Sequence, residues 1–244
     1  MDLSIIFPAF NEETKIGRDV EEAAAFLTRN GLAGEIVVVD DGSRDRTASA
    51  AEAVPLPPGV ARNVIRCGRN RGKGHAVKLG MLASRGDLAM FADSGLSVPL
   101  EQALRGIELI RSGACAIAHG SRVLASSNVL LRPSPYRRVI SRVVRRFLPR
   151  LMGFPPHITD SQCGFKVYRG DVARELYRLC ETEGFMFDAE MILRARRAGH
   201  RIQEFPVDWS CDRDTRLHPA REPLPILRDL LLIRRRVGRS PRPG

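Results

Sequence analysis

The sequence predicts an α/β fold, a mostly parallel central sheet with helices on both faces. Three observations predict it. Short β-favouring apolar runs alternate with stretches of helical length from residue 3 to residue 118. The run Ile36-Val37-Val38-Val39 is apolar without a break, as expected of a strand buried on both faces of a parallel sheet. Polar residues gather where the runs end, and open α/β sheets bind ligands just beyond the carboxyl ends of their strands.

Leu3–Phe7 is the first expected strand, ending in Pro8-Ala9-Phe10-Asn11-Glu12-Glu13. A helix follows to about Asn30, with Phe26 and Leu27 on its apolar side. The Ile36–Val39 strand breaks into Asp40-Asp41-Gly42-Ser43, two carboxylates at the sheet rim and a glycine that lets the backbone pass close to a ligand. Asp-Gly-Ser is also ordinary turn chemistry, and Asp45 is placed to cap the helix expected over Arg44–Ala53. The other strand ends decide between these readings. After the Pro55–Gly59 loop, Asn63–Arg66 forms a third strand leading into Asn70-Arg71-Gly72-Lys73-Gly74-His75 and a helix over Ala76–Ser84. Asp87–Ala92 is a strand ending at Asp93-Ser94-Gly95, Leu100–Arg111 is a helix, and Ala114–Ala118 is a strand leading into His119-Gly120-Ser121-Arg122. Charged and polar clusters thus stand at successive strand ends. A binding cleft explains that sorting better than solvated turns do.

At 244 residues the chain is expected to fold as one domain with a sizeable core. No apolar run reaches the ~18 residues that cross a bilayer, and with a strand beginning at Leu3 no leader peptide is expected. Five scattered cysteines, without a CxxC pair or a histidine cluster, point to reduced thiols in a cytosolic setting and against a zinc site. The net charge of +11 is concentrated. Residues 132–150 carry seven arginines and no acid, and residues 228–244 carry six arginines against Asp229, so the rest of the chain is nearly neutral. Such basicity suits nucleic acid or anionic lipid. Nucleic acid is disfavoured because aromatic residues are few and not interleaved with the basic runs. A dinucleotide site is disfavoured because GxGxxG is absent after the first strand. An ATPase is disfavoured because Gly68–Gly74 lacks the GxxxxGK[ST] spacing.

Over 136–152, Val139, Ile140, Val143, Val144, Phe147, Leu148 and Leu151 fall on one helical face, with arginines between them. This basic amphipathic helix is expected to lie on a membrane, the alternative being a core-packed helix with solvated arginines. Near the end, Ile226, Leu227, Leu230, Leu231 and Ile233 precede Arg234-Arg235-Arg236. A second surface-lying helix is expected there, with core docking or an oligomer contact as alternatives.

Pro8-Ala9-Phe10-Asn11-Glu12, Val39-Asp40-Asp41-Gly42-Ser43 and Asn70-Arg71-Gly72-Lys73-Gly74 together resemble glycosyltransferase family 2, inverting enzymes with the GT-A fold. Asp160-Ser161-Gln162-Cys163-Gly164-Phe165-Lys166 and Phe187-Asp188-Ala189-Glu190 resemble, within it, the dolichyl-phosphate or polyprenyl-phosphate glucose and mannose synthases. These move a hexose from a nucleotide sugar to a lipid phosphate. The similarity runs from about Leu3 to Leu217, which implies a GT-A domain over 1–217 followed by a basic helix and tail over 218–244.

The resemblance implies a nucleotide-sugar site at Pro8, Asn11, Glu12, Asp40 and Asp41, where carboxylate oxygens accept from base N–H groups and ribose hydroxyls. Lys73 is implied near the nucleotide phosphates and Gln162 on a sugar hydroxyl. Asp93 is implied as the ligand of Mg²⁺ or Mn²⁺, in the first position of the family's DxD signature, whose second position here is Gly95. One carboxylate with substrate phosphates and water is enough to hold Mg²⁺. Arg122, Arg137, Ser141 and Arg216 match positions that grip the acceptor phosphate or the donor diphosphate, Arg216 within a stretch, Asp212–Leu217, that resembles a mobile loop. Asp160 is implied where acceptor and sugar meet, as a base if the acceptor is a hydroxyl, so Asp93, Asp160 and Arg122 are the expected catalytic residues. His75, His119, His157 and His218 show no triad or ligand spacing and are expected to be structural. The expected partners are a donor such as UDP-glucose or GDP-mannose, a polyprenyl or dolichyl phosphate, and the anionic surface on the cytoplasmic face of a membrane, with no nucleic acid. Gly95 keeps open a non-catalytic nucleotide-sugar-binding protein, and a family 2 enzyme with a carbohydrate acceptor is the other alternative.

Overall fold

The computed structural model of the chain describes residues 1–131, 146–211 and 223–239, the last helix by its backbone alone at 223–227 and 239. In chain order the elements are β1 (Leu3–Ala9), α1 (Ile16–Arg29), β2 (Gly34–Asp40), α2 (Thr47–Ala53), β3 (Val60–Arg66), α3 (Lys73–Ala83), β4 (Leu88–Ala92), α4 (Ala103–Arg111) and β5 (Ile117–Ser121). They continue with β6 (Asn128–Leu131), α5 (146–152), β7 (Phe165–Arg169), α6 (Gly170–Arg178), α7 (Phe187–Arg197), β8 (Ile202–Pro206), β9 (Asp208–Ser210) and α8 (Pro223–Arg239). Seven strands form one sheet in the order β3-β2-β1-β4-β7-β5-β8, and β6 pairs with β9 in a small ribbon.

The sheet is parallel except for β7, which runs antiparallel to both β4 and β5. This single reversal brings the start of β7, at Phe165, level with the end of β4, at Ala92. Residues 160–164 therefore arrive at the same rim as the carboxyl ends of the parallel strands. Side chains alternate across the sheet as strand geometry requires. Ile6, Val37 and Val39 pack with Ala76, Val77 and Met81 of α3 on one face. Ile5, Phe7, Ile36 and Val38 pack with Val20 and Leu27 of α1 and Ile107 of α4 on the other. Pro8 is tolerated in a central strand because pairing with β4 stops at Ile6↔Phe91. The Asp41 amide donates to Ala9 O, so Ala9 faces β2 and the donor that Pro8 lacks would point past the end of β4.

Two expectations shift. The strand expected over Ala114–Ala118 runs instead over Ile117–Ser121, because the Ala114 and Cys115 amides are spent closing α4 on Leu109 O. His119 is therefore a buried strand residue, and only Arg122 of that cluster reaches the rim. At the chain's end α8 is not simply surface-lying. Leu230, Ile233 and Val237 are buried in the same core cluster as Met191, Ile192 and Ala195 of α7, while Leu231 points outward. Most of the helix expected over 136–152 lies outside the described residues. In α5, Leu148 and Met152 enter the core and Phe147 and Leu151 face solvent. No helix among the described residues is long and apolar enough to cross a membrane.

Candidate active site

The ends of β1 and β2 are stitched together first. The Asn11 amide donates to Ser43 Oγ at 2.8 Å, and Asn11 Oδ1 accepts from the Arg44 amide at 2.8 Å. Asn11 takes a φ of 51°, in the left-handed region that asparagine enters more readily than most residues. The Glu12 amide donates to Thr47 Oγ1 at 2.8 Å. Asp40 Oδ1 accepts from the Ser43 amide at 2.8 Å, so that carboxylate serves its own turn. Asp41 reaches across to the next strand end, where its Oδ2 accepts from the Arg71 amide at 3.0 Å and the Gly72 amide at 2.6 Å. The two loops touch so closely that a Cβ on Gly42 (φ +76°) would lie 2.4 Å from the Arg69 carbonyl carbon. Glycine is required there on both counts.

His75, expected to be merely structural, belongs to this end of the site. Its Nδ1 lies 3.4 Å from Asp41 Oδ1, and Asp41, Cys67 and His75 bring one donor atom each within 4.8 Å of one another.

Gly72 and Lys73 then bridge two strand ends. The Gly72 amide holds Asp41, and the next residue, Lys73, opens α3 with its Nζ 2.5 Å from Asp93 Oδ1. Burial works against the Lys73 ammonium, but the charges of Asp93 and Asp188 outweigh it and hold its pKa above the ordinary lysine value. Two cations approach the Phe91 ring, Lys73 Nζ at 5.8 Å and Lys166 Nζ at 5.3 Å from its centre. Lys166 is fully buried and fully occupied, donating to Asp188 Oδ1 at 2.7 Å, Cys163 O at 2.7 Å and Ser161 O at 3.2 Å. A buried charge needs such partners. Burial also pushes the Asp188 carboxyl up, against the pull of Lys166 and Lys73.

Asp93 is the carboxylate suited to a metal. Its side chain is 41% exposed at the end of β4, beside a cation, and among the described residues no thiol or imidazole groups with it as a metal ligand set, so its own oxygens offer the hard-ligand chemistry of Mg²⁺ or Mn²⁺. It is shaped by glycine, since a Cβ on Gly164 would lie 2.1 Å from Asp93 Oδ2. Gly95, in the second DxD position, offers no side chain, and its amide donates to Asp19 Oδ2 at 2.8 Å. Asp19 is a residue that sequence reasoning missed. It is fully buried on α1, accepts from Ser94 Oγ at 2.7 Å, and has no hydrogen-bond partner for Oδ1 among the described residues. Burial pushes its carboxyl up. The available signal was an acid on the face of α1 that Ile16, Val20 and Ala23 bury.

The far side of the rim belongs to Arg122 and Asp160. The guanidinium donates twice to the carboxylate, Nε to Oδ2 and Nη2 to Oδ1 at 2.7 Å each, and the Arg122 amide adds a bond of 3.0 Å to Oδ2. The planar fork matches both carboxylate oxygens. Burial opposes the Arg122 charge, but Asp160 more than offsets it and keeps the guanidinium protonated. The guanidinium also lies 5.3 Å from the centre of the Trp209 ring. Asp160 is fully buried and its own amide donates to Glu204 Oε1 at 2.7 Å. Asp93, Ser97, Cys163, Gly164 and Trp209 line one small cavity between these groups. Burial pushes the Cys163 thiol up to about 12, so it is inert. Gln162 Nε2 is buried and has no partner among the described residues.

The structure thus brings Asp41, Lys73 and Asp93 into one chain of contacts and joins it through Gly164 to the loop that carries Gln162 and Asp160. Pro8, Asn11, Glu12 and Asp40 lie along the same edge at the ends of β1 and β2. Arg137, Ser141, Arg216 and His218 lie outside the described residues.

The family described as Glycosyl transferase family 2 matches residues 4–177. A dolichyl-phosphate beta-glucosyltransferase of Drosophila melanogaster is 32% identical over 247 residues, covering 96% of this chain and 74% of the fly protein. The Saccharomyces cerevisiae protein of that name is 30% identical over 249 residues, covering 95% and 74%. Among solved structures, glucosyl-3-phosphoglycerate synthase from Mycobacterium tuberculosis, in complex with Mn²⁺, UDP and glucosyl-3-phosphoglycerate, superposes with a TM-score of 0.68. It is 21% identical, over 98% of this chain and 81% of that one, a likeness of fold. With the GT-A architecture and the family match in agreement, the chain belongs to glycosyl transferase family 2 and is a glycosyltransferase.

Proposed function

We propose that this glycosyltransferase moves glucose from UDP-glucose to a polyprenyl-type lipid phosphate such as dolichyl phosphate, with inversion, at the cytoplasmic face of a membrane. The observation that carries this reading is one short loop. Gly164 lies against the donor-side Asp93, and Asp160, four residues earlier, grips Arg122 on the acceptor side. An acid for a metal-bound diphosphate and a cation for an anionic acceptor thus share one rim. The names of the relatives support glucose over mannose and dolichyl phosphate over a sugar acceptor.

In this reading the Asp41 loop takes the base and ribose, and Lys73 exchanges its Asp93 contact for donor phosphate oxygens. Asp93 is the residue that would hold Mg²⁺ or Mn²⁺, which when bound stabilises the charge on the leaving nucleoside diphosphate. Gln162 turns its buried amide to a sugar hydroxyl. Arg122, joined by Arg137, Ser141 and Arg216, orients the acceptor phosphate. A phosphate monoester is already ionised at neutral pH, so positioning carries the acceleration and no strong base is needed. Asp160 fits a supporting role, because Arg122 occupies both of its oxygens. The catalytic unit in this proposal is residues 1–217, with the basic segment 218–244 docked on it through α8.

The test is a panel of UDP-glucose and GDP-mannose with dolichyl phosphate in Mg²⁺, Mn²⁺ or EDTA. Glucosyl lipid is expected from UDP-glucose only with a divalent ion, and Asp93→Ala is expected to lower the rate by roughly 10²-fold or more. Full activity in EDTA overturns the metal assignment. Transfer to a free sugar but not to the lipid overturns the acceptor.

A further inference from the structure

A second, larger cavity opens away from the donor cleft. It measures about 600 Å³ and lies between α5, the last turns of α7 and the C-terminal half of α8. Asp188, in the first turn of α7, touches the catalytic rim, whereas Arg196 and Arg197 close the other end of that helix, about 12 Å further along its axis. Four arginines line the cavity, Arg150, Arg196, Arg197 and Arg234, and among the described residues no acid does. Each donates to a main-chain carbonyl: Arg150 to Arg146 O at 3.0 Å, Arg234 to Leu151 O at 3.0 Å, Arg197 to Gly238 O at 3.3 Å, and Arg196 to Gly153 O. Such bonds fix the position of a guanidinium without neutralising it. Arg150, Arg196 and Arg234 each have five N–H donors in a fork suited to phosphate oxygens, so donors remain there for a ligand.

The walls are not only basic. Leu151, Met152, Leu193 and Val237 share the lining. One turn before Leu151, Phe147 is 62% exposed, and one turn before Arg234, Leu231 is 56% exposed. A free phosphate compound has no use for exposed phenyl and isobutyl groups beside its site. A phospholipid does, because its headgroup and acyl region meet a protein at adjacent depths. We propose that this cavity seats the phosphate of an anionic membrane lipid, distinct from the acceptor, while Phe147 and Leu231 enter the acyl boundary. The proposal rests on the reading that the acceptor is a membrane lipid. It adds a second, non-reacting phosphate site that sets the enzyme's position on the bilayer.

Gly238 gives a clean test. A Cβ built there meets nothing within 4 Å, so Gly238→Glu places a carboxylate among the arginines without a clash. Flotation with phosphatidylcholine vesicles, with and without phosphatidylglycerol, is expected to show wild-type binding that depends on phosphatidylglycerol. In Gly238→Glu and in the double variant Arg150→Gln/Arg234→Gln, that binding is expected to fall at least tenfold. Arg111→Gln, an exposed site on α4 with the same change in net charge as Gly238→Glu, is expected to bind like wild type. Turnover of a short, water-soluble prenyl phosphate is expected to be unchanged in all of them.

Equal binding by wild type and Gly238→Glu overturns the proposal, as does wild-type indifference to phosphatidylglycerol. A titration in which glycerol 3-phosphate binds wild type but not Gly238→Glu, while vesicles treat the two alike, assigns the cavity to a soluble phosphate and also overturns it. Failure of the enzymatic reading shows separately, as no glucosyl lipid in the donor panel while the vesicle result stands.

Discussion

At Gly164 a missing methyl group governs where the Asp93 carboxylate lies. A Cβ there must push the carboxylate aside, since it would sit 2.1 Å from Oδ2. Gly164→Ala is expected to lower turnover by about 10²-fold, the usual consequence of a 1 Å misplacement at a reacting centre. The melting temperature is expected to move by about 4 °C or less, because the surrounding core is untouched. Rates and a thermal melt on one sample check both halves. Arg122→Lys keeps the charge but loses the fork that matches Asp160 and a phosphate. Its expected signature is a drop in kcat/KM for the lipid phosphate of about tenfold to a hundredfold, the range of a charged hydrogen bond, with the KM for the nucleotide sugar little changed.

Among the elements, α8 divides its residues between core and solvent. Ile233 is fully buried, so Ile233→Ala is expected to cost about 2–5 kcal/mol. Leu231→Ala, on the outward side, is expected to cost about 0.5 kcal/mol or less. Urea midpoints separate the two. The strands of the donor half were legible because Ile36–Val39 and its neighbours carry the unbroken apolar runs of a parallel sheet. Phe165–Arg169 was not read as a strand, and a side-chain pattern would in any case say nothing about which way it runs. The start of β5 was misread because Ala114 to Ala116 are apolar enough for a strand, yet the amides of Ala114 and Cys115 are consumed by the end of α4. In the site, motif spacing reached Asp41, Lys73, Asp93 and Arg122. The quoted motifs include Lys166 and Asp188 but not their pairing across 22 positions, and they leave out Asp19 and the approach of His75 to Asp41, contacts across 75 and 34 positions.

Across the whole molecule, His119 couples stability to pH. Burial keeps its imidazole from charging, Lys166 adds to that, and Asp160 opposes it only weakly, so its pKa lies well below the ordinary value. The unfolded chain takes up this proton near pH 6.5 and the folded chain does not. Its contribution is therefore intact above about pH 6.5 and is lost as pH falls below it, by up to about 1.4 kcal/mol per pH unit. The raised carboxyls of Asp19, Asp188 and Glu204 act with the opposite sign, so the variant at His119 is compared with wild type at each pH. Unfolding midpoints between pH 7 and 5 are expected to fall in wild type, and to fall by less in His119→Gln.

The reversed strand also divides the gene. In the proposed reading the grip on nucleotide and metal, from Pro8 to Asp93, comes from the contiguous strands β1 to β4, while Gln162 and the acceptor residues come from β5 onward. A single recombination event between codons 95 and 117 would then exchange the nucleotide grip as a block and leave the acceptor side intact. The seam it must match is the β4–β7 pairing, Gly164 against Asp93, and residues 182–184 against Gly72 and Gly74. In that reading, recognition of the nucleotide and of the recipient can diverge separately, each along its own stretch of chromosome.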